Sequence, residues 1–184
     1  SGAFELLKKF RVNDKKTPIV FMGYMNTFES LGANKFMLEA VKANLDGILI
    51  VDMPPEESSN FSIEAEKVGV DIIRLIAPTT SSSRAKKICS QCSGYVYYIS
   101  VKGITGASNI NAEEVKAKVS ELRSHTDLPI AIGFGIKDSA SASSVKDVAD
   151  GVVVGSVFVD LIGEGGNIIE KVESKTKELS EVLN

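Results

Sequence analysis

Apolar residues along the chain fall into runs of two kinds that take turns. Runs of the first kind are short and nearly unbroken: 18–23, 46–51, 70–76, 95–99, 128–134 and 150–154. Their length and their Val, Ile and aromatic content predict strands covered on both faces. Pro18 is tolerable as the first residue of its strand. Runs of the second kind repeat at three- and four-residue spacing and predict helices. One covers 1–12, with Phe4, Leu7 and Phe10 to Val12 on its stripe, and another covers 34–43, with Phe36, Met37, Ala40 and Val41. A third opens on Asp52-Met53-Pro54-Pro55-Glu56-Glu57, with proline and acids where a first turn prefers them, and stops at Val68-Gly69. Further helices are expected over 82–92, 112–123 and 139–148, then a short one from Ser156 and a longer one over 167–183.

Buried strands alternating with amphipathic helices mean an α/β fold with a parallel sheet covered by helices. One domain over 1–184 is expected. An open doubly wound sheet holds six strands comfortably, whereas a (β/α)8 barrel needs eight and typically ~250 residues. Counting favours the open sheet. Glycine loops after the late strands, followed by a short helix, are a barrel habit. The first helix has no strand before it, so the chain reads as the later part of something longer.

Composition narrows the partners. The chain has 184 residues, 43% of them hydrophobic, a net charge of −3 and two cysteines. No apolar run approaches the ~18 residues of a membrane span. The start is charged and amphipathic, unlike a secretory signal. The absence of a basic block argues against nucleic acid, and the sparse cysteines fit a reducing cytoplasm.

The candidate chemistry centres on 94–107, a strand that empties into Lys102-Gly103-Ile104-Thr105-Gly106. Gly133-Phe134-Gly135 and Gly155-Ser156 repeat the design after the next two strands. Glycines let backbone amides approach a phosphate closely. Ser156 would stand at a helix N-terminus, where free N–H groups and the dipole favour an anion. The plain alternative for each loop is a tight βα turn. Tyr97 shares a strand face with Tyr95, while Tyr98 takes the other; it is either a pocket residue or a packed core tyrosine. Tyr24, past the end of the first strand, is a similar candidate. Asp52, at a strand's C-terminal end, is either a chemical group or a turn and cap residue. Cys89-Ser90-Gln91-Cys92 falls at the end of a helix, where the dipole works against a thiolate, and has no second pair to complete a zinc site. His125 reads as a surface turn residue. Arg74, inside an apolar strand, requires an inward ion pair or an edge position.

Six runs together resemble one family, the tryptophan synthase alpha chain. They are Met22-Gly23-Tyr24-Met25-Asn26, Ile50-Val51-Asp52-Met53-Pro54-Pro55-Glu56-Glu57, Leu75-Ile76-Ala77-Pro78-Thr79, Tyr95-Val96-Tyr97 through Gly106, Gly133-Phe134-Gly135-Ile136 and Gly155-Ser156. They occur in the family's order and spacing over essentially the whole chain. The resemblance implies a (β/α)8 TIM barrel of which this chain supplies six βα units, the third to eighth strands. It implies the lyase that splits indole-3-glycerol phosphate into indole and glyceraldehyde 3-phosphate in tryptophan biosynthesis. Gly106, Gly135, Gly155 and Ser156 would bind the substrate phosphate. Tyr97 and Phe134 would flank the indole and glycerol, Met22 and Leu49 would be apolar walls, and Thr105 would orient a closing loop. Asp52 and Pro54 would face the beta subunit, which takes the indole and uses pyridoxal phosphate in an alpha2beta2 complex. The alpha chain itself needs no cofactor and no metal. The family's two catalytic carboxylates, a glutamate on the second strand and an aspartate in the loop after it, have no counterpart here, so no catalytic residue is assigned and the chain alone is expected to be inactive.

Two rivals remain open at this point. One is another sugar-phosphate lyase or isomerase, for which Lys102 is the single Schiff-base candidate, placed in a loop rather than a strand. The other is a non-catalytic phosphate-binding fragment that only engages the beta subunit. A nucleotide site on an open sheet lacks its G-x-G-x-x-G after the first strand.

Overall fold

The computed structural model describes residues 2–56, 59–99, 112–133 and 135–183, with the side chains of Ser59, Asn60 and Ala112 excepted. In chain order the elements are α1 (Gly2–Asn13), β1 (Val20–Gly23), α2 (Met25–Glu29), α3 (Ala33–Ala43), β2 (Gly47–Ile50), α4 (Ser59–Val68), β3 (Asp71–Ile76), α5 (Ser82–Cys89), β4 (Val96–Ile99), α6 (Ala112–Arg123), β5 (Ile130–Gly133), α7 (Ser139–Ser143), β6 (Gly151–Val153), α8 (Ser156–Glu164) and α9 (Ile168–Leu183). They form two compact units, the first made of Ser1–Leu75 and Lys87–Tyr95, the second of Ile76–Lys86 and Val96–Asn184.

In the first unit β1, β2 and β3 lie side by side in parallel, with Met22 opposite Leu49 and Leu49 opposite Ile73. Successive residues of a strand face opposite ways. Phe21, Ile48 and Ile72 face the helices. Phe21 stacks on Phe4 of α1, and Phe4, Phe36, Phe28 and Phe61 continue as a chain of ring contacts, with centroids 5.1–6.4 Å apart. Met22, Leu49 and Ile73 therefore share the face turned away from the helices. In the second unit β4, β5 and β6 are parallel, with Tyr97 opposite Ala131, Ile99 opposite Gly133, and Gly133 opposite Val153. Val115, Val119 and Leu122 of α6 and Ile130 and Ile132 of β5 are buried.

One polar device occurs in both units. Asp46, just before β2, takes the Ile19 amide on Oδ2 at 2.6 Å, gives its own N–H to the Ile19 carbonyl at 3.1 Å, and binds Arg11 of α1 at 2.6 Å. Asp150, just before β6, takes the Ile130 amide at 2.8 Å, gives its N–H to the Ile130 carbonyl at 3.0 Å, and binds Arg123 of α6 at 3.1 Å. Each arginine also reaches the carbonyl two residues ahead of its aspartate: Arg11 to Asn44 at 3.0 Å, Arg123 to Val148 at 3.5 Å. The Ile130 amide is the main cause holding the Asp150 carboxyl below its ordinary range, and Arg123 adds to it. The two copies share Asp-Gly ahead of an aliphatic run.

The stripe of one helix and three element boundaries differ from those the sequence predicts. The stripe of α1 buries Phe4, Leu7 and Arg11, while Phe10 and Val12 are exposed; Arg11, not its apolar neighbours, continues the four-seven-eleven spacing. Helix α4 begins at Ser59 rather than at Asp52, because the residues ahead of Pro54 and Pro55 are steered out of helical conformation. It ends as expected, with Gly69 at φ +71. Helix α5 stops at Cys89, where Gln91 and Cys92 turn back to carbonyls three residues behind. Helix α7 stops at Ser143 after an Asp138–Ser141 capping box, short of the expected 148. The five-residue α2, too short to show a helical period, is a further element between β1 and α3.

Two outcomes are expected. Arg11 is 7% exposed and Arg123 is 48% exposed. Replacing Arg11 with Met should cost about 1.5–3 kcal/mol, the worth of hydrogen bonds from a charged group, moderated because Asp46 can rehydrate. Replacing Arg123 with Met should cost under about 1 kcal/mol; urea melts showing equal losses would contradict this ordering. The second outcome concerns acid. The Thr17 hydroxyl first, then the Thr17 and Lys16 amides, hold the Asp14 carboxyl at about 2, below its ordinary 3.8. A depressed carboxyl stabilises the fold fully above its unfolded value and loses that contribution as pH falls through the folded one. The stability gap between the wild type and Asp14→Asn should therefore be widest above 3.8 and close toward about 2, as read by melts across the acid range.

Candidate functional site

The face opposite the helices in the first unit is apolar and partly open. Leu49 is fully buried, but its strand neighbour Met22 is 60% exposed, as is Tyr24 just past the end of β1. The loop carrying Tyr24 is held by a residue from the next crossover. Tyr24 occupies the N-cap position of α2 and offers no side-chain cap. Asp52, past the end of β2, fills that role: its Oδ1 accepts the Met25 amide at 2.7 Å. The Val51 amide adds a backbone tie to the Gly23 carbonyl at 2.9 Å. Asp52 is thus a cap residue for a helix distant in sequence, and its side chain remains on the surface, next to half-buried Pro54.

In the second unit the corresponding face carries Tyr97, Ala131 and Gly151 in one row and Ile99, Gly133 and Val153 in the next. Tyr97 is 8% exposed. Its ring leans from its register partner Ala131 onto Gly133, where a Cβ would overlap Cε2, Cζ and Oη of the tyrosine. The phenol is thereby carried toward the C-terminal end of β5. Two residues on, Gly135 holds φ +83, a conformation that disfavours any L side chain. At the end of β6, Gly155 is the N-cap of α8 and Ser156 its first residue. The Gly155 carbonyl accepts from Phe158 and Val159, the first amides to bond back into the helix. The amides of Ser156 and Val157 precede that ladder. Among the described residues, nothing lies within 4 Å of a Cβ added at Gly155. Thr105, Gly106 and Phe134, with Gly103 and Lys102, lie outside the described residues.

The remaining candidates resolve into structure. Cys92 donates to the Tyr95 carbonyl at 3.0 Å, and burial pushes its thiol up to about 12; Cys89 is buried. Among the described residues no group of three or more His, Cys, Asp or Glu is arranged to hold a metal, and no helix is long and apolar enough to cross a membrane. His125 stands in a turn as expected but is half-buried rather than at the surface: its side chain is 15% exposed, and its Nε2 lies 3.1 Å from the Ser82 hydroxyl and 4.0 Å from Glu121. Arg74 is 3% exposed and faces α4, with no carboxylate paired to it among the described residues. Of the two placements expected, an inward ion pair or an edge position, the ion pair is absent from that set.

The model of the tryptophan synthase alpha chain family matches residues 1–184. Similar proteins include the tryptophan synthase alpha chain of Polynucleobacter necessarius, 43% identical over 185 residues, covering 100% of this chain and 70% of that protein. The alpha chain of Halorhodospira halophila is 46% identical over 163 residues, covering 89% of this chain and 60% of that protein. Among solved structures, the alpha subunit of Legionella pneumophila superposes with a TM-score of 0.87 at 31% identity, covering 98% of this chain and 68% of that one. A Pyrococcus furiosus structure titled as a tryptophan synthase a2b2 complex gives 0.87 at 35% identity, covering 97% and 73%. Between the two architectures left open by strand counting, these superpositions select the TIM barrel, with six of its βα units in this chain.

The Tyr97–Gly133 contact generates its own test. Gly133→Ala should cost about 1–3 kcal/mol through overpacking. In a Tyr97→Ala background the same change should cost almost nothing more, a coupling read from a double-mutant cycle of thermal or urea melts. Additive losses would show that the ring does not rest on that glycine.

Proposed function

The chain belongs to the tryptophan synthase alpha chain family, and from that premise we propose that its strand ends form the substrate-gripping portion of an indole-3-glycerol phosphate lyase. The observation that carries this reading is the Gly155–Ser156 opening of α8, whose leading amides precede the helical ladder, beside a glycine with no described neighbour within 4 Å of its Cβ position. An anion placed there is favoured by free N–H groups and by the helix dipole. Gly135 and Gly106 would complete the phosphate cradle. Tyr97 and Phe134 would flank the indole and glycerol portion, Met22, Tyr24 and Leu49 would give it apolar walls, and Thr105 would position the closing loop.

The reaction is a retro-aldol cleavage. The indole carbon bearing the glycerol chain gains a proton, the bond to the adjacent carbinol carbon breaks, and the carbinol hydroxyl gives up its proton as its carbon becomes an aldehyde. Electrons balance within the substrate, so neither a redox partner nor a cofactor is required. Proton transfer needs two positioned groups. The family's two carboxylates match no position of this chain, and we assign to the chain binding without turnover. For the partner, the Pyrococcus furiosus a2b2 complex supports a beta subunit; by the family resemblance it would engage the surface around Asp52 and Pro54. A chain that only activates that subunit is the second reading, and the exposed carboxylate of Asp52 is what favours it.

The isolated chain should bind glycerol 3-phosphate saturably and release no indole from indole-3-glycerol phosphate. Gly155→Asp, which meets no described residue within 4 Å at its Cβ, should abolish phosphate binding without lowering the melting temperature. Turnover near that of a complete alpha chain would refute the division of labour, and unchanged phosphate affinity in Gly155→Asp would refute the site.

A further inference from the structure

Arg74 is a charge that the site just described does not use. Its guanidinium is buried on the helix side of β3, and it makes three long contacts: Nη2 to the Ser62 hydroxyl at 3.2 Å, Nε to the Gln91 carbonyl at 3.5 Å, and Nη1 to the Met53 carbonyl at 3.5 Å. A guanidinium has five N–H donors and stays charged. Two donors are left over by these contacts, and no carboxylate neutralises the group among the described residues. A buried cation without a counter-charge is costly.

Beside it lies a cavity of about 550 Å³ between α4 and the segment joining α5 to β4. Ser62 and Gln91, both bonded to Arg74, belong to its wall. The wall has a directional character. Pro55, Ile63, Val70 and Ile72 make it apolar along its length. Its two acids, Glu66 and Asp71, stand toward the start of β3: Glu66 is one helical turn beyond Ser62, and Asp71 is three strand residues ahead of Arg74, ~10 Å by strand rise.

We propose that this cavity is a binding site for a small hydrophobic monocarboxylate. The carboxylate sits at the Ser62–Gln91 end of the wall, where the Ser62 hydroxyl, which accepts from Arg74, donates to it and the guanidinium buried behind that wall supplies the positive charge. The apolar body lies against Ile63, Val70 and Ile72. The acids at the far end repel a second negative charge, so dicarboxylates are excluded. The site is on the side of the sheet away from Met22 and Leu49 and is independent of the phosphate-binding reading.

Benzoate is the probe, titrated into the intact chain and followed by backbone amide NMR. Saturable shifts are expected at Ser62, Gln91 and Ser93, with none at Gly155 or Ser156. Benzamide, which keeps the ring and loses the charge, and succinate, which adds a second charge, should each bind at least about tenfold more weakly. Arg74→Met should lower benzoate affinity by about tenfold or more while melting no lower than the wild type, since an unpaired buried charge is replaced by an apolar chain. Ser62→Ala is the second variant and should weaken benzoate without unfolding. No saturable shift, equal binding of benzamide, or unchanged affinity in Arg74→Met would each overturn the proposal.

Discussion

The tie from an aspartate to the preceding strand and to a helical arginine is the interaction on which each unit's order depends. In a parallel sheet a slip of one residue turns every side chain to the wrong face. Asp46 and Asp150 each grip a single residue of the neighbouring strand through both its amide and its carbonyl, Ile19 in one case and Ile130 in the other. That double grip fixes the stagger before the ladder begins. Arg11 and Arg123 then bring the helix that precedes each strand pair onto the same carboxylate. Met22 and Leu49, or Gly133 and Val153, end up on one face because of register, and register is set at the opposite end of the strands from the candidate site. Binding loops can then vary without disturbing the lock that aligns them.

The two buried arginines show what such a lock requires. Arg11 reaches a carboxylate and the carbonyls of Asn44, Asp14 and Thr17, so its charge is neutralised and its donors are used. It closes the C-terminus of α3, where Asn44 adopts the left-handed conformation at φ 52. Arg74 has comparable burial and only three long contacts to neutral groups. Burial alone therefore does not make an arginine structural; the difference lies in whether a counter-charge and short donors' partners surround it.

Much of the fold was legible because strand and helix periods differ and the chain keeps them apart. All six strands and the positions of α1, α3, α6, α8 and α9 follow from period alone, within a residue or two at the ends. What was not legible depended on contacts across the fold. Helix α2 has too few residues for a period, and its cap comes from Asp52 rather than from Tyr24. The start of α4 looked earlier because Pro54 and two acids suit a first turn in isolation, yet the Asp52 carboxylate is engaged elsewhere. Two signals of the lock are in the sequence itself: Arg11 stands at the next stripe position after Phe4 and Leu7, and Asp-Gly precedes an aliphatic run at both 46 and 150. For the candidate site, the sequence marked Tyr97, Gly133, Gly135, Gly155 and Ser156. It held no sign that Tyr97 and Gly133 touch, since their pairing is diagonal across register.

That diagonal contact explains why a tyrosine and a glycine are needed together. A strand side chain ordinarily stands perpendicular to the sheet and covers its register partner. Tyr97 would then cover Ala131 and fill the middle of the face. The missing Cβ at Gly133 opens a groove two residues further along β5, and the ring tilts into it. The hydroxyl is displaced toward the strand's C-terminal end, in the direction of the turn that Gly135 makes. A Cβ at 133 would push the ring back over Ala131 and withdraw that hydroxyl. Phenylalanine at 97 would keep the tilt and lose the polar tip. The glycine's role here is consequently different from that of Gly155. Gly133 is required by a neighbour already in place, whereas no described residue lies within 4 Å of a Cβ at Gly155. Of the two, only the second leaves room among the described residues for a molecule that is not part of the chain.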